Sequence, residues 1–174
     1  MKRIITLCMM LIVASLSFNA SAQSKRLIGE WRVTTEDGDN AVDNVNMTLE
    51  FDKEKEGEIK MSYNNYVEVM EVIVNFTVLF DIDMLWSANK ERLSIEPYDA
   101  EIDVENVYLT PSGTEYDELL PEIENMIREM FEQGKQEFIS NFMRGEMTYT
   151  IINKNTVEVL PPSGKTMILK RIGR

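Results

Sequence analysis

The sequence has no histidine, and its single cysteine is Cys8, close to the N-terminus. Histidine is the commonest general base near neutral pH and, with cysteine, the usual zinc ligand. Beyond residue 8 the chain therefore lacks the ordinary acid–base catalyst, the thiol nucleophile and the standard zinc donors. A lone cysteine leaves no intrachain disulfide, so stability must come from the core. Basic charge is also scarce: 18 Lys and Arg stand against 30 Asp and Glu, a net charge of −12. Phosphate repulsion then opposes nucleic-acid binding, and the same sign opposes anionic membrane surfaces. No internal repeat, low-complexity tract or linker interrupts the chain, and nothing in it calls for a cofactor or a metal.

Long apolar runs are missing as well. The best, "IITLCMMLIVASL" (residues 4–16), falls short of the ~20 apolar residues a membrane span needs. It follows Lys2 and Arg3 and precedes the small-x-small Ala20-Ser21-Ala22, the three parts of a secretory signal peptide. Cleavage near Ala22 predicts an exported, soluble chain, periplasmic or extracellular, with residues 23–174 as one domain. A lipoprotein anchored at Cys8 fits less well, because Leu7 is bulky for such a site and a cut there leaves most of the apolar run on the product. Removing 22 of the 174 residues leaves 152, and losing Lys2 and Arg3 leaves 16 basic against 30 acidic residues, a net charge of −14. A domain of that length buries about two-thirds of its unfolded surface.

What the chain does have is alternation. In residues 44–52, Val45, Met47, Leu49 and Phe51 share one face while Asn46, Thr48, Glu50 and Asp52 share the other, the period of a half-buried strand. "EIKMSY" continues it, and "NNY" (residues 64–66) reads as a turn. From Met70 to Met84 every even position is apolar; as one strand it would run about 50 Å at ~3.3 Å per residue. A coiled barrel wall uses such a length, as do two strands with a bend. Pro97 predicts a strand end, and the phase slip between Val104 and Val107 predicts a bulge.

The period then turns helical. Apolar residues at spacings of three and four from Tyr116 to Met143 predict one long amphipathic helix over about 114–143. Ser112 and Glu115 offer a capping box, or Pro121 marks the first turn of a later start; Gly145 is placed to end it. Three short strands follow, separated by "NKN" and "PPSGK". The sum is a mainly β chain of about eight or nine strands with the helix before the last three. Short connections favour an antiparallel meander that closes into a barrel and so removes its edges; a two-sheet sandwich is the alternative.

The signal peptide, "LIGEWRV" opening the first strand, "ANKERLSI" in mid-chain and the closing "TYTIINKNTVEVLPPSGKTMILKRI" together resemble the lipocalin-like (calycin-type) barrels secreted by Gram-negative bacteria. The resemblance implies that Gly29 and Trp31 are the G-x-W at the entry of the first strand. It further implies that the tryptophan packs across the closed barrel end against a basic residue of the last strand, Lys170 or Arg171, in a cation–π contact. The chain departs from that family in placing its helix before three strands rather than one.

Each constellation has two readings. Trp31 is either a barrel-closing residue or an ordinary core aromatic. Met61, Tyr63, Met70, Phe76, Phe80 and Met84 either line a ligand cavity, with methionine as adaptable wall, or fill a dry core. The helix is a lid, a docking surface for a protein partner, or a permanently packed element. Asp37, Asp39, Asn40 and Asp43 offer calcium-type oxygen ligands without EF-hand spacing, and a turn explains them better. Asp81 and Asp83 share one strand face, as paired glycosidase carboxylates could, but a solvated face explains them too. The expectation is a non-catalytic binder of a small apolar or amphipathic molecule; the alternative is an interaction or inhibitor module acting through helix or loops, with a filled barrel. A carboxylate hydrolase stands third.

Overall fold

The alternating rows become eight strands in the computed structural model, which describes residues 24–34, 44–69, 72–113, 115–143, 145–162 and 164–173. They are β1 (Gly29–Thr34), β2 (Val45–Phe51), β3 (Glu56–Val69), β4 (Val72–Asn89), β5 (Arg92–Thr110), β6 (Gly145–Asn153), β7 (Thr156–Leu160) and β8 (Met167–Arg171). Each strand pairs antiparallel with the next, and β8 pairs with β1 through Trp31↔Arg171 to Thr34↔Ile168. The sheet is thus a meander closed into a barrel, not a sandwich. Residues 1–22, read above as a signal peptide, and the Asp37, Asp39, Asn40 and Asp43 of the candidate calcium loop lie outside the described residues. Among the described residues no helix is long and apolar enough to cross a membrane.

Two local expectations give way to pairing, and a third holds. Asn64, Asn65 and Tyr66 do not turn the chain; they continue β3, held by register with Thr77, Phe76 and Asn75 of β4. The Asn64 side chain fixes that register by accepting a hydrogen bond from the Thr77 hydroxyl at 2.9 Å. Pro97 does not end a strand either. It sits inside β5 opposite Met84, where the register shifts between Asp83 and Met84, and a shift tolerates a residue with no N–H to donate. Two predicted strands are therefore one. The bulge expected near Val104–Val107 is present: the register with β4 shifts there, and Asn106 takes a φ of 53°.

The helix, α1 (Leu120–Asn141), follows a 3₁₀ turn over Glu115–Leu119. Of the two predicted starts the later one holds, with Pro121 in the first turn and no side-chain cap at Leu119. It stops at Asn141, with Phe142 already extended, so Gly145 opens β6 instead of ending the helix.

Strand lengths decide where the core ends. β3, β4 and β5 hold 14, 18 and 19 residues, the other five strands only 5 to 9. Where all eight run side by side, Trp31, Leu49, Phe51, Ile59, Ile82, Met84, Leu93, Ile95, Met147 and Leu169 are almost fully buried and fill the interior. Burying each such side chain stabilises by about 1.5–3 kcal/mol. Beyond that level β3–β5 project as a curved wall, and α1 covers part of its inner face. Phe131 meets Phe76 and Phe80 edge-on at 6.4 and 6.0 Å, and Phe138 stacks on Phe80 at 4.8 Å. One end of the barrel is closed by the strand ends themselves; the other is covered by the helix.

Candidate functional site

At the closed end Trp31 is fully buried and donates its indole N–H to the Leu27 carbonyl at 2.6 Å. Arg171 lies across the indole, 4.1 Å from the ring centre. The guanidinium donates to the carbonyls of Ile28 at 2.8 Å, Arg26 at 2.6 Å and Lys154 at 3.1 Å, so it ties the last strand to the segment before β1. Lys170, the other candidate, is exposed. Gly29 belongs to the same device. Its φ is +123°, and a Cβ there would stand 2.5 Å from an Arg171 guanidinium nitrogen. A second tryptophan repeats the theme: Trp86 carries the Lys55 ammonium 3.8 Å above its ring, packs edge-on against Phe51 and donates to the Glu56 carbonyl at 2.9 Å. Among the described residues these contacts fill this end of the barrel.

The helix-covered end is different. Two apolar cavities lie there, of about 510 and about 360 Å³. The larger is walled by Val45 of β2, Met61 and Tyr63 of β3, Phe80, Ile102, and Met130, Phe131, Gly134, Phe138 and Phe142 along the helix side. The smaller is walled by Val67, Val72, Val74, Phe76, Tyr116, Leu119, Ile123, Met126, Ile127 and Met130. Met130 belongs to both, so the two meet along the flank where the helix faces β3. The helix rests chiefly against β5, which leaves this flank uncovered. Met126 and Met130 are accordingly 63% and 57% exposed, and Val67 is exposed on the inner face of β3.

The predicted ligand wall divides in this frame. Met61, Tyr63 and Phe80 line the larger cavity and Phe76 the smaller. Met84 lines neither; it is fully buried in the filled part of the barrel. Met70 lies outside the described residues. Sequence reasoning left out the contribution of Val45 and of the β3 tip at Val67. The sequence leaves the helix open as a lid, a docking surface or a packed element and does not assign Tyr116, Met126, Met130 and Phe138 to the ligand wall, although Met126, Met130 and Phe138, four and eight residues apart, fall on adjoining stripes.

A third, polar recess of about 230 Å³ lies on the outward face of the sheet between Glu58, Asp81, Asp83, Asp99 and Glu101. Asp81 and Asp83 do share that face, as the alternation predicts. Desolvation, then the hydrogen bond and charge of Glu58, push the Asp81 carboxyl up to about 6. Burial acts to raise Glu58 too, but hydrogen bonds from Asp81 and Lys60 bring it below its ordinary value. The Lys60 ammonium sits 2.8 Å from Glu58 and 3.9 Å from Asp81 and holds the cluster together. Among the described residues no group of three or more His, Cys, Asp or Glu side chains is placed to hold a metal ion. A further hollow of about 860 Å³ is bordered by the polar side chains of Arg32, Asn46, Thr48, Lys60 and Asp81 and by Met47, Met61, Phe80 and Ile102, the last three of which also wall the 510 Å³ cavity.

No protein-family model and no curated protein matches the chain.

Proposed function

We propose that this chain is an exported, non-catalytic binder of a small apolar or amphipathic molecule, held beneath the helix at the open end of a lipocalin-like barrel. The observation that carries the reading is the pair of apolar cavities meeting at Met130. Their size falls in the ~300–1,000 Å³ range of small-molecule sites. Their walls are almost wholly apolar, made of aliphatic, methionine and phenylalanine side chains with Tyr63 at the larger cavity and Tyr116 at the smaller. The lipocalin-like part of the reading draws support from Gly29, Trp31 and Arg171, which meet in the way the resemblance implies. The non-catalytic part rests on the missing histidine and on the clustered carboxylates facing away from the apolar cavities.

A second reading is favoured by one observation: Met126 and Met130 are mostly exposed on an apolar helix flank, as an interaction surface would have them. Native mass spectrometry of protein purified from its own host compartment, followed by solvent extraction, separates the two. A co-purifying lipid-like mass, with a thermal shift from the same compound, supports the binder. A stoichiometric protein partner and an empty cavity would favour the interaction module.

A further inference from the structure

Methionine recurs along this chain, and its thioethers are not equally placed. Met47, Met61, Met84 and Met147 are buried, and Met143 and Met167 are half-buried. Of the methionines among the described residues, only Met126 and Met130 are more than half open to solvent. They stand four residues apart on α1, so one helix face carries both. Both wall the smaller apolar cavity, and Met130 walls the larger as well. The chain holds no thiol other than Cys8, and both tryptophans are buried. The most oxidisable side chains that the described surface offers to a dissolved oxidant are therefore two groups of the cavity wall.

We propose that Met126 and Met130 form an oxidation site whose modification by hydrogen peroxide releases the ligand held beneath the helix. This rests on the binding reading above and adds a means of control to it. The thioether sulfur gives an electron pair to one peroxide oxygen. The O–O bond breaks, the second oxygen leaves as water with both protons, and the sulfur keeps the first as a sulfoxide. An apolar wall group thereby becomes polar with no change of net charge. On the bare flank water satisfies the new oxygen. A ligand seated against it strips that water away and returns no hydrogen bond, which weakens binding. The helix keeps its seat, because its anchors lie on the β5 side: Arg128 bonds Asp103 and the Val104 carbonyl, and Lys135 pairs with Asp99 at 3.8 Å.

The experiment treats the protein with graded hydrogen peroxide, maps tryptic peptides by mass spectrometry, and titrates anthroyloxy-labelled palmitate before and after. Cleavage at Arg128 puts Met126 and Met130 on separate peptides, so each is read by itself. Both should gain one oxygen before Met47, Met61, Met84 or Met147 does. The Kd of the wild type for the probe should then rise at least about tenfold while its melting temperature stays close to the untreated value. Methionine sulfoxide reductases A and B should restore the original Kd. A Met126→Leu/Met130→Leu variant, compared only with its own untreated state, should change by less than about twofold, since leucine cannot take up the oxygen. Undiminished binding by the oxidised wild type overturns the inference and leaves the binding reading intact. So does an equal loss in the leucine variant, which would place the effect at another residue such as Met70, or buried methionines oxidised as fast as the exposed pair. A collapse of the melting temperature would make the loss an unfolding event and also sink it. Failure of the untreated wild type to bind this probe, or any lipid of a wider panel, removes the binding reading and the release with it.

Discussion

The Arg171 guanidinium rests 4.1 Å from the centre of the Trp31 ring, and the two residues are also partners in the β1–β8 register. One side chain thereby joins the first and last strands twice, through backbone pairing and through the ring. Trp31→Ala should cost about 3–5 kcal/mol, the usual range for deleting a buried aromatic. Arg171→Met should cost about 1–3 kcal/mol by leaving the carbonyls of Arg26, Ile28 and Lys154 without their donor. Urea melts of the single and double variants check both. The pair should be less than additive, and simple additivity would remove the direct coupling.

Gly29 is needed for two reasons that can be separated. Gly29→Ala meets both an unfavourable φ and the guanidinium nitrogen at 2.5 Å, and should destabilise by about 1–3 kcal/mol. In an Arg171→Met background the steric part disappears, so the same substitution should cost measurably less. An unchanged cost would assign the whole effect to the backbone.

Met126 and Met130 test the cavity flank without disturbing the core. Both are more than half exposed, so Met126→Asp and Met130→Asp should move stability by no more than about 0.5 kcal/mol. A carboxylate in the apolar flank should weaken binding of a fatty-acid probe at least tenfold for Met130→Asp, which borders both cavities, and less for Met126→Asp. Fluorescence titration beside a thermal melt gives both readings.

Asp81 predicts a pH dependence of defined sign. Its carboxyl is held at about 6 against an ordinary 3.8, so between these values the folded chain binds more protons than the unfolded one. Its contribution is fully present below pH 3.8 and lost as the pH rises through about 6. Asp81→Asn should therefore match the wild type near pH 4 and exceed it above pH 6. Solvent screening of this half-exposed group keeps the gain below about 1 kcal/mol. Melting curves at pH 4, 5, 6 and 7 decide it; a gain that appears only at low pH would reverse the assignment.

Tyr149 carries a buried hydroxyl with no hydrogen-bond partner among the described residues. Burial pushes its phenol pKa up, as expected for a group that cannot ionise cheaply. Tyr149→Phe removes the unpaired oxygen and keeps the ring, so stability should stay level or rise by up to about 1 kcal/mol. A loss of several kcal/mol would mean the hydroxyl is satisfied after all.

Much of the barrel was legible because its signals are local. Period-2 rows at Val45–Phe51 and along β4 name the strands and their buried faces, and the change of period after Thr110 names the helix. Turns were less legible: Asn64–Tyr66 and Pro97 carry breaker chemistry, yet cross-strand partners in β4 hold both within strands. The carboxylates of the outward face were visible as a pair, whereas their coupling through Glu58 and Lys60 required the β3–β4 register.

Composition and periodicity by themselves determined an acidic, histidine-free, mainly β chain with one amphipathic helix, because charge counts and side-chain alternation are properties of neighbouring residues. Only the tertiary structure decided which part of the apolar row is core and which is cavity. Met84 and Phe80 belong to the same alternating face of one strand, but the first lies where the barrel closes around it and the second where the register runs only through Met47, Met61, Phe80 and Ile102 of β2 to β5. That difference depends on how far strands distant in the chain extend beside them, and on the flank of the wall that the helix leaves bare.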